Sequence, residues 1–384
     1  MIKRLFLSAL SGFLAGTASA VFLLLLDIAT RTRDDLPTII WALPIAGFVI
    51  GWLFHNYGGE VGRGTNLILD EIHDPKKIIP LRMAPFILIG TILTHLFGGS
   101  AGREGTAVQM GASLSDQISN FFGIPPEERR ALLVAGAGAG FGAAIGAPLA
   151  GVIFGMELIS IRKFKPIVWM GCLVASFVAY YTAIFLGAKH SVFPSFEIPS
   201  MTFNIIFYVA IAGIIFGLTA KFFMRITHFV EAVSTRFISF PPLRPFVVGG
   251  IIVILFYLEG SYHYVGLGIP IIQDALEFPA SFKDSIYKAG FTALTVGSGF
   301  KGGEFIPLVF IGTTLGSALS VFIPVSFQLL GGLGFAAVFA GAAKTPIACS
   351  LMAMEIFGYE ILPYALIACF MSNYVSGKAT VYKS

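Results

Sequence analysis

Long apolar segments alternate with short glycine-rich interruptions along the whole chain. Residues 5–26 and 205–218 contain no charged side chain, and residues 83–97 are nearly as apolar. Runs of this length predict membrane-spanning helices. A β-barrel would instead show alternating segments of about ten residues. We therefore predict an all-α, polytopic membrane protein.

The composition supports the same prediction. The chain is 56% hydrophobic and 12% charged, whereas an ordinary soluble domain is about 25% charged. A net charge of +4 without a basic patch argues against nucleic-acid binding. The three cysteines are widely spaced, which argues against a disulfide framework or a metal site, so we predict no cofactor. Basic clusters at 76–77, 129–130 and 162–165 are expected to face the cytoplasm.

The chain matches itself at shifts close to 201 residues. The matched pairs include Gly12 with Gly213, Gly102 with Gly303, Pro148 with Pro346, and Glu157 with Glu355. We interpret this order of matches as a duplication, with halves 1–200 and 201–384 forming one membrane transport unit. Duplicated membrane proteins with interrupted helices are typically transporters or channels, with sites between the repeats near the bilayer midplane. The repeat leaves open whether the halves are parallel or inverted.

The glycine-rich breaks are predicted to precede helix starts. They lie at 62–66, 98–106, 136–148, 266–270, 299–307 and 332–346. A helix start presents unpaired N–H groups and a partial positive charge. Several starts converging inside the membrane would bind a small anion through the backbone alone.

Glu104 lies at one of these predicted helix starts. Its carboxylate could occupy the anion position as a tethered competitor and leave when protonated, which would couple anion movement to proton movement. The other interpretation is an ordinary helix cap or an ion pair with Arg103. Phe305 aligns with Glu104 in the other half, so the halves differ here. For Glu157 and Glu355 the symmetry favours a structural role.

Two of the breaks resemble known motifs. Residues 102–106 (GREGT) resemble the G(K/R)EGP motif of CLC chloride channels and transporters, and residues 303–307 (GEFIP) resemble their GxFxP motif. The stretch APLAG at 147–151 and Tyr382 also match, and the similarity extends over nearly the whole chain. The resemblance implies an inverted-repeat fold and a homodimer with one pathway per subunit. It also implies that Glu104 is the gate, and that Gly105, Phe305, Ile306 and Tyr382 surround the anion.

The departures from the family pattern point to one branch. The family's GSGIP motif is replaced by Gly62-Arg63-Gly64-Thr65-Asn66. Either Arg63 or Thr65 takes the place of the serine, and we favour Thr65, followed by Asn66, because a fixed arginine would trap an anion. Thr106 replaces the gate-motif proline, and the chain is short, with two residues after Tyr382 and no regulatory domain expected. These features resemble the family's fluoride branch.

The resemblance thus implies a proton-coupled fluoride antiporter in the cell (inner) membrane of a bacterium. A chloride/proton antiporter or a passive chloride channel of the same family remains the alternative. An intramembrane enzyme or scaffold is a third hypothesis, but the breaks offer no nucleophile–base pair. The internal glutamate of chloride/proton exchangers corresponds to Leu158, so protons would need another route.

Overall fold

The computed structural model describes residues 1–158 and 166–382, which leaves the predicted basic cluster at 162–165 outside the described residues. The helices are α1 (Ile2–Asp35), α2 (Leu43–Leu53), α3 (Thr65–His73), α4 (Met83–Leu96), α5 (Glu104–Phe121), α6 (Pro126–Ile145), α7 (Pro148–Glu157), α8 (Pro166–Phe185), α9 (Phe203–Phe237), α10 (Leu243–Glu259), α11 (Ile269–Glu277), α12 (Phe282–Gly297), α13 (Phe305–Leu319), α14 (Phe327–Ala343), α15 (Pro346–Phe357) and α16 (Leu362–Val375). The described residues contain no β-strand beyond one isolated bridge, which confirms the all-α prediction.

Long and short apolar helices are combined in this fold. Four helical stretches are long and apolar enough to cross a membrane: α1, the run Pro37–His73, the part of α8 from Val168 to Phe185, and α9. Five helices of 10–17 residues are apolar but shorter, namely α4, α7, α13, α14 and α15. Helices this short fall below the roughly 20 residues that cross the hydrocarbon core, and a helix end at membrane depth is tolerated only where its backbone is buried in protein or lines a cavity.

All six predicted breaks contain a helix start, since α7 and α15 begin at Pro148 and Pro346, the last residues of two of them. Helices α3, α5, α11 and α13 begin within 62–66, 98–106, 266–270 and 299–307. The predictions for 136–148 and 332–346 were wrong over most of their length, because α6 and α14 continue to Ile145 and Ala343. Their glycines serve close packing instead: a Cβ on Gly138 would lie 2.3 Å from the Gly151 carbonyl oxygen. Small residues let membrane helices approach in this way.

Helices α7 and α15 cap each other reciprocally. Glu157, at the end of α7, accepts a hydrogen bond from the Ala348 amide at 2.7 Å, at the start of α15. Glu355, near the end of α15, accepts one from the Ala150 amide at 2.8 Å, at the start of α7. Each carboxylate also accepts the preceding amide N–H, at 3.0 and 2.9 Å. The two helices are therefore antiparallel, and the predicted structural role of both glutamates is confirmed.

A buried ion-pair network fixes the far end of α3. Arg129 donates to Asp116 Oδ1 at 2.7 Å and to Glu71 Oε2 at 3.0 Å. Asp116 also accepts the amide of Ile79 at 2.7 Å. All three charged side chains are buried, so each needs the partners that it has. The network joins α3, α5 and α6 and thereby sets the direction in which α3 presents its first residues.

Candidate anion pathway

The starts of α5 and α13 meet at a crossing of two glycine-rich segments. The Gly102 amide donates to the Gly303 carbonyl at 2.5 Å, and the Gly303 amide donates to the Gly102 carbonyl at 2.8 Å. A Cβ on Gly303 would lie 2.9 Å from the Gly105 nitrogen, so the backbones touch. First-turn N–H groups have no partner inside their helix, and both helices carry partial positive charge at this end. The crossing is therefore suited to hold an anion.

Glu104 begins α5 and lies at this crossing. Only 1% of its surface is exposed. Its Oε2 accepts the Arg103 amide at 3.1 Å and its Oε1 accepts Arg103 Nε at 3.3 Å. The carboxylate therefore folds back onto the positive end of its own helix. The ion pair with Arg103, one of the two interpretations drawn from the sequence, is therefore present, and the role of Glu104 as a tethered competitor stays a prediction.

Phe305 begins α13 and carries no charge to the crossing. Its ring meets Phe339 edge-on with centroids 4.7 Å apart, and it meets Phe141 in the same way at 5.4 Å. Phe141 in turn stacks on Phe154 at 3.8 Å. Four rings from α6, α7, α13 and α14 thus form an apolar wall. The wall packs against the side chain at the start of α13, which leaves the backbone N–H groups of that helix start to contact an anion.

A cavity of about 310 Å³ lies next to the crossing. Thr65, Asn66, Glu304 and Tyr382 are among the residues that line it. The tail that carries Tyr382 is held by the Val381 amide, which donates to a carbonyl at the end of α14 at 3.0 Å. Glu304 lines the cavity and directly precedes Phe305 at the start of α13, so the cavity and the crossing are neighbours.

Thr65 and Arg63 have different surroundings at the start of α3. Thr65 is the first residue of the helix, and its Oγ1 accepts a hydrogen bond from Gln109 Nε2 at 3.1 Å. The guanidinium of Arg63 pairs with Asp70, one turn into the same helix. The arginine charge is therefore already compensated, and the polar side chain at the helix start is the threonine. This geometry supports the register that we favoured.

The structure brings the predicted site residues into two adjoining groups. Glu104, Gly105, Phe305 and Ile306 surround the crossing, and Thr65, Asn66 and Tyr382 line the cavity. Sequence reasoning missed Gln109, and no local signal marked it, because α5 contains a second glutamine and several other polar residues.

His95 stands apart from both groups and supports the crossing. The side chain is fully buried, and its Nε2 lies 3.4 Å from the Gly102 carbonyl oxygen. The histidine therefore contacts the same carbonyl that accepts the Gly303 amide. In the part of the chain that the structure describes, no cluster of three or more histidine, cysteine, aspartate or glutamate side chains could hold a metal ion.

The fold and the pathway define a class: a polytopic all-α membrane protein with a buried polar site where helix starts meet. Comparison with known families identifies the group. A profile described as "Voltage gated chloride channel" matches residues 46–377, and the chain belongs to this family, the CLC channels and transporters.

Individual relatives are similar over most of their length. The chain is 47% identical to a chloride/fluoride channel protein of Pseudomonas syringae pv. tomato, covering 99% of this chain and 85% of that protein. It is 28% identical to an H(+)/Cl(-) exchange transporter, ClcA, of Cronobacter sakazakii, covering 97% and 87%. Among solved structures, a CLC-type fluoride/proton antiporter matches with a TM-score of 0.94 and 32% identity, covering 99% of this chain and 97% of that one.

Proposed function

We propose that this protein is a proton-coupled antiporter that exports fluoride across the cell membrane. The observation that carries the proposal is the Glu104 carboxylate, buried against the start of α5 at the crossing. A protonatable group in the place that suits an anion couples the binding of fluoride to the binding of a proton. The relatives named for fluoride in the two comparisons support fluoride as the anion.

The proposed cycle uses competition between two anions. With Glu104 ionised, its carboxylate occupies the positive end of α5 and excludes fluoride. When it takes up a proton, its charge is lost and the side chain leaves the helix start. Fluoride then accepts hydrogen bonds from the freed N–H groups at the starts of α5 and α13. Because Leu158 offers no proton-carrying group, the same Glu104 side chain swings between the two sides to pick up and deliver protons.

Fluoride is a small ion with a strong demand for hydrogen-bond donors. The pathway offers backbone N–H groups of Gly105, Phe305 and Ile306 at the crossing, and the side chains of Thr65, Asn66 and Tyr382 at the cavity. Hydrogen bonds from such donors to an anion are about twice as strong as neutral ones. The proposed function needs no cofactor and no chemical reaction, so the protein acts as a transporter and not as an enzyme.

The second candidate is a chloride/proton antiporter or a passive chloride channel. The family profile and the Cronobacter relative favour it. The replacement of the GSGIP serine favours fluoride.

The proposal includes two inverted repeats, 1–200 and 201–384, which the reciprocal contacts of α7 with α15 and of Gly102 with Gly303 support. It also includes a homodimer in the inner membrane, with a pathway in each subunit.

Ion flux from liposomes tests the proposal directly. The purified protein is reconstituted, and fluoride, chloride and pH electrodes record efflux and proton movement in parallel. We expect fluoride efflux with uphill proton uptake and little chloride efflux. Chloride flux equal to or greater than fluoride flux would replace the proposal with the chloride alternative, and fluoride flux without proton movement would make the protein a channel.

A further inference from the structure

Gln109 is a buried polar side chain whose position the proposed cycle does not yet explain. It lies on α5, five residues after Glu104, and is 7% exposed. Its Nε2 donates to Thr65 Oγ1 at 3.1 Å. Its Oε1 is buried and has no hydrogen-bond partner in the described residues. Burying an amide oxygen without a partner costs free energy, so the position of this side chain calls for an explanation.

The amide is held in place by the backbone that precedes α3. Gly64 has a φ of +58° and is the residue just before the helix start. A Cβ at Gly64 would lie 3.3 Å from Gln109 Nε2, so the side-chain amide packs directly on this glycine. Both Thr65 and Gln109 line the cavity of about 310 Å³. Gln109 therefore contacts the start of α3 from a helix that also carries the proposed gate.

The direction of this hydrogen bond determines what the Thr65 hydroxyl can do. A hydroxyl has one hydrogen to donate and two lone pairs that accept. Because Gln109 donates to the oxygen, the hydroxyl hydrogen is left for another acceptor. In the described residues Thr65 Oγ1 makes no second hydrogen bond, and the side chain is partly exposed to the cavity. Its hydrogen is therefore available to an acceptor in the cavity.

We infer that Gln109 is a positioning residue for fluoride selectivity, which orients the Thr65 hydroxyl as a dedicated donor to an anion in the cavity. The inference rests on the proposed function and identifies the central hydroxyl. Fluoride accepts hydrogen bonds more strongly than chloride does, so a fixed donor favours fluoride. Gln109 and Glu104 are about 7.5 Å apart along one helix axis, which links the donor rigidly to the gate.

The test is a double-mutant cycle measured by fluoride and chloride efflux from liposomes. Thr65→Val removes the hydroxyl at nearly constant shape, and Gln109→Met removes the amide. Each single variant is expected to raise the apparent KM for fluoride about tenfold, the size of one hydrogen bond to a charged group, and to lower the fluoride-to-chloride ratio. If Gln109 acts through Thr65, Gln109→Met has no further effect on KM in the Thr65→Val background.

Controls separate orientation from packing. Thr65→Ser retains the hydroxyl and is expected to restore the fluoride KM. Gln117→Met makes the same change on the same helix, where Gln117 Nε2 donates to the Ile79 carbonyl at 2.7 Å, and is expected to leave KM unchanged. Proton coupling is expected to persist in all these variants. If Gln109→Met fails to fold, Gln109→Asn shortens the side chain beyond reach of Thr65 and carries the same expectation.

The outcomes distinguish this inference from the proposed function. Wild-type protein that moves no fluoride overturns the proposed function and with it the inference. Fluoride transport by the wild type with additive KM effects of Thr65→Val and Gln109→Met overturns the inference alone, because a purely structural glutamine would add its cost independently. An unchanged fluoride-to-chloride ratio in both single variants would overturn it as well.

Discussion

The two segments that cross at Gly102 and Gly303 share one backbone arrangement and differ in one side chain. Both begin a helix two residues after the bridged glycine, at Glu104 in α5 and at Phe305 in α13. The first places a buried carboxylate at the crossing, and the second places a ring in an aromatic cluster. The two segments thus supply two similar positive helix ends, and under the proposed function the side chain of Glu104 makes one of them responsive to protons.

The largest effect is expected from removing the chemical difference at Glu104. Glu104→Gln keeps the shape of the side chain, but the amide carries no charge and takes up no proton. We expect proton movement to fall to the level of liposomes without protein, measured with a pH electrode during imposed fluoride gradients. Glu277→Gln, at an exposed glutamate at the end of α11, serves as the matched control and should behave as wild type.

Fluoride-driven proton uptake retained in Glu104→Gln would show that the two segments do not differ in the way proposed. The proton route would then have to run through another group, and the role of Glu104 would be reduced to capping α5 and pairing with Arg103.

The backbone arrangement was easier to predict from the sequence than the side-chain partners. The charge at Glu104 stands out locally, because membrane segments rarely contain an ionisable residue without a functional reason, and Gly102 and Gly303 stand out because the chain matches itself there. The contacts of Gln109 with Thr65 join residues 44 positions apart, and no local pattern encodes such a pairing. Sequence analysis therefore did not identify Gln109 as part of the site.

The wrong predictions at 136–148 and 332–346 have a common physical cause. Glycine both interrupts helices and lets them pack closely, and composition does not distinguish the two uses. In α14 a Cβ on Gly334 would lie 1.9 Å from the Gly312 carbonyl oxygen, which only the partner helix reveals. The aromatic wall formed by Phe141, Phe154, Phe305 and Phe339 was also missed, because its members come from four helices and only the tertiary structure brings them together.

The next largest effect is expected from disturbing the close backbone contact at Gly102 and Gly303, which the two segments share. Gly303→Ala would place a methyl group 2.9 Å from the Gly105 nitrogen, and Gly102→Ala would place one 2.9 Å from the Gly303 oxygen. Backbone atoms on both sides leave no simple relief, so each variant should lose about 1–3 kcal/mol of stability, as overpacked cores do. Thermal unfolding in detergent measures the loss.

Gly290→Ala is the control for these variants, because nothing lies within 4 Å of a Cβ at that helical position. It should equal or exceed wild type in stability, since alanine favours helix by up to about 1 kcal/mol over glycine. Equal unfolding temperatures for Gly303→Ala and Gly290→Ala would mean that the backbone at the crossing can move to accommodate a methyl group, which would contradict the close contact described.

A smaller effect is expected at the reciprocal caps, which extend the comparison of the halves to α7 and α15. Glu157→Gln and Glu355→Gln each replace a carboxylate that accepts two amide N–H groups with an amide that has one acceptor oxygen. Loss of a helix cap typically costs about 1 kcal/mol. The four distances span 2.7–3.0 Å, so both variants should lower the unfolding temperature by similar amounts. A loss confined to one of them would contradict structural equivalence of the two halves.

The smallest effect is expected from changing the side chain at Phe305, where we expect the backbone to act. Phe305→Leu keeps an apolar residue at the start of α13 and leaves its N–H groups in place. It should cost about 1 kcal/mol of stability, a typical value for a single substitution, through lost contact with Phe339. The apparent KM for fluoride should change less than about threefold, which corresponds to about 0.7 kcal/mol. Proton coupling should stay intact, in contrast to Glu104→Gln. A large rise in KM at unchanged stability would mean that the ring itself contacts the anion, and the two helix starts would then each act through a side chain.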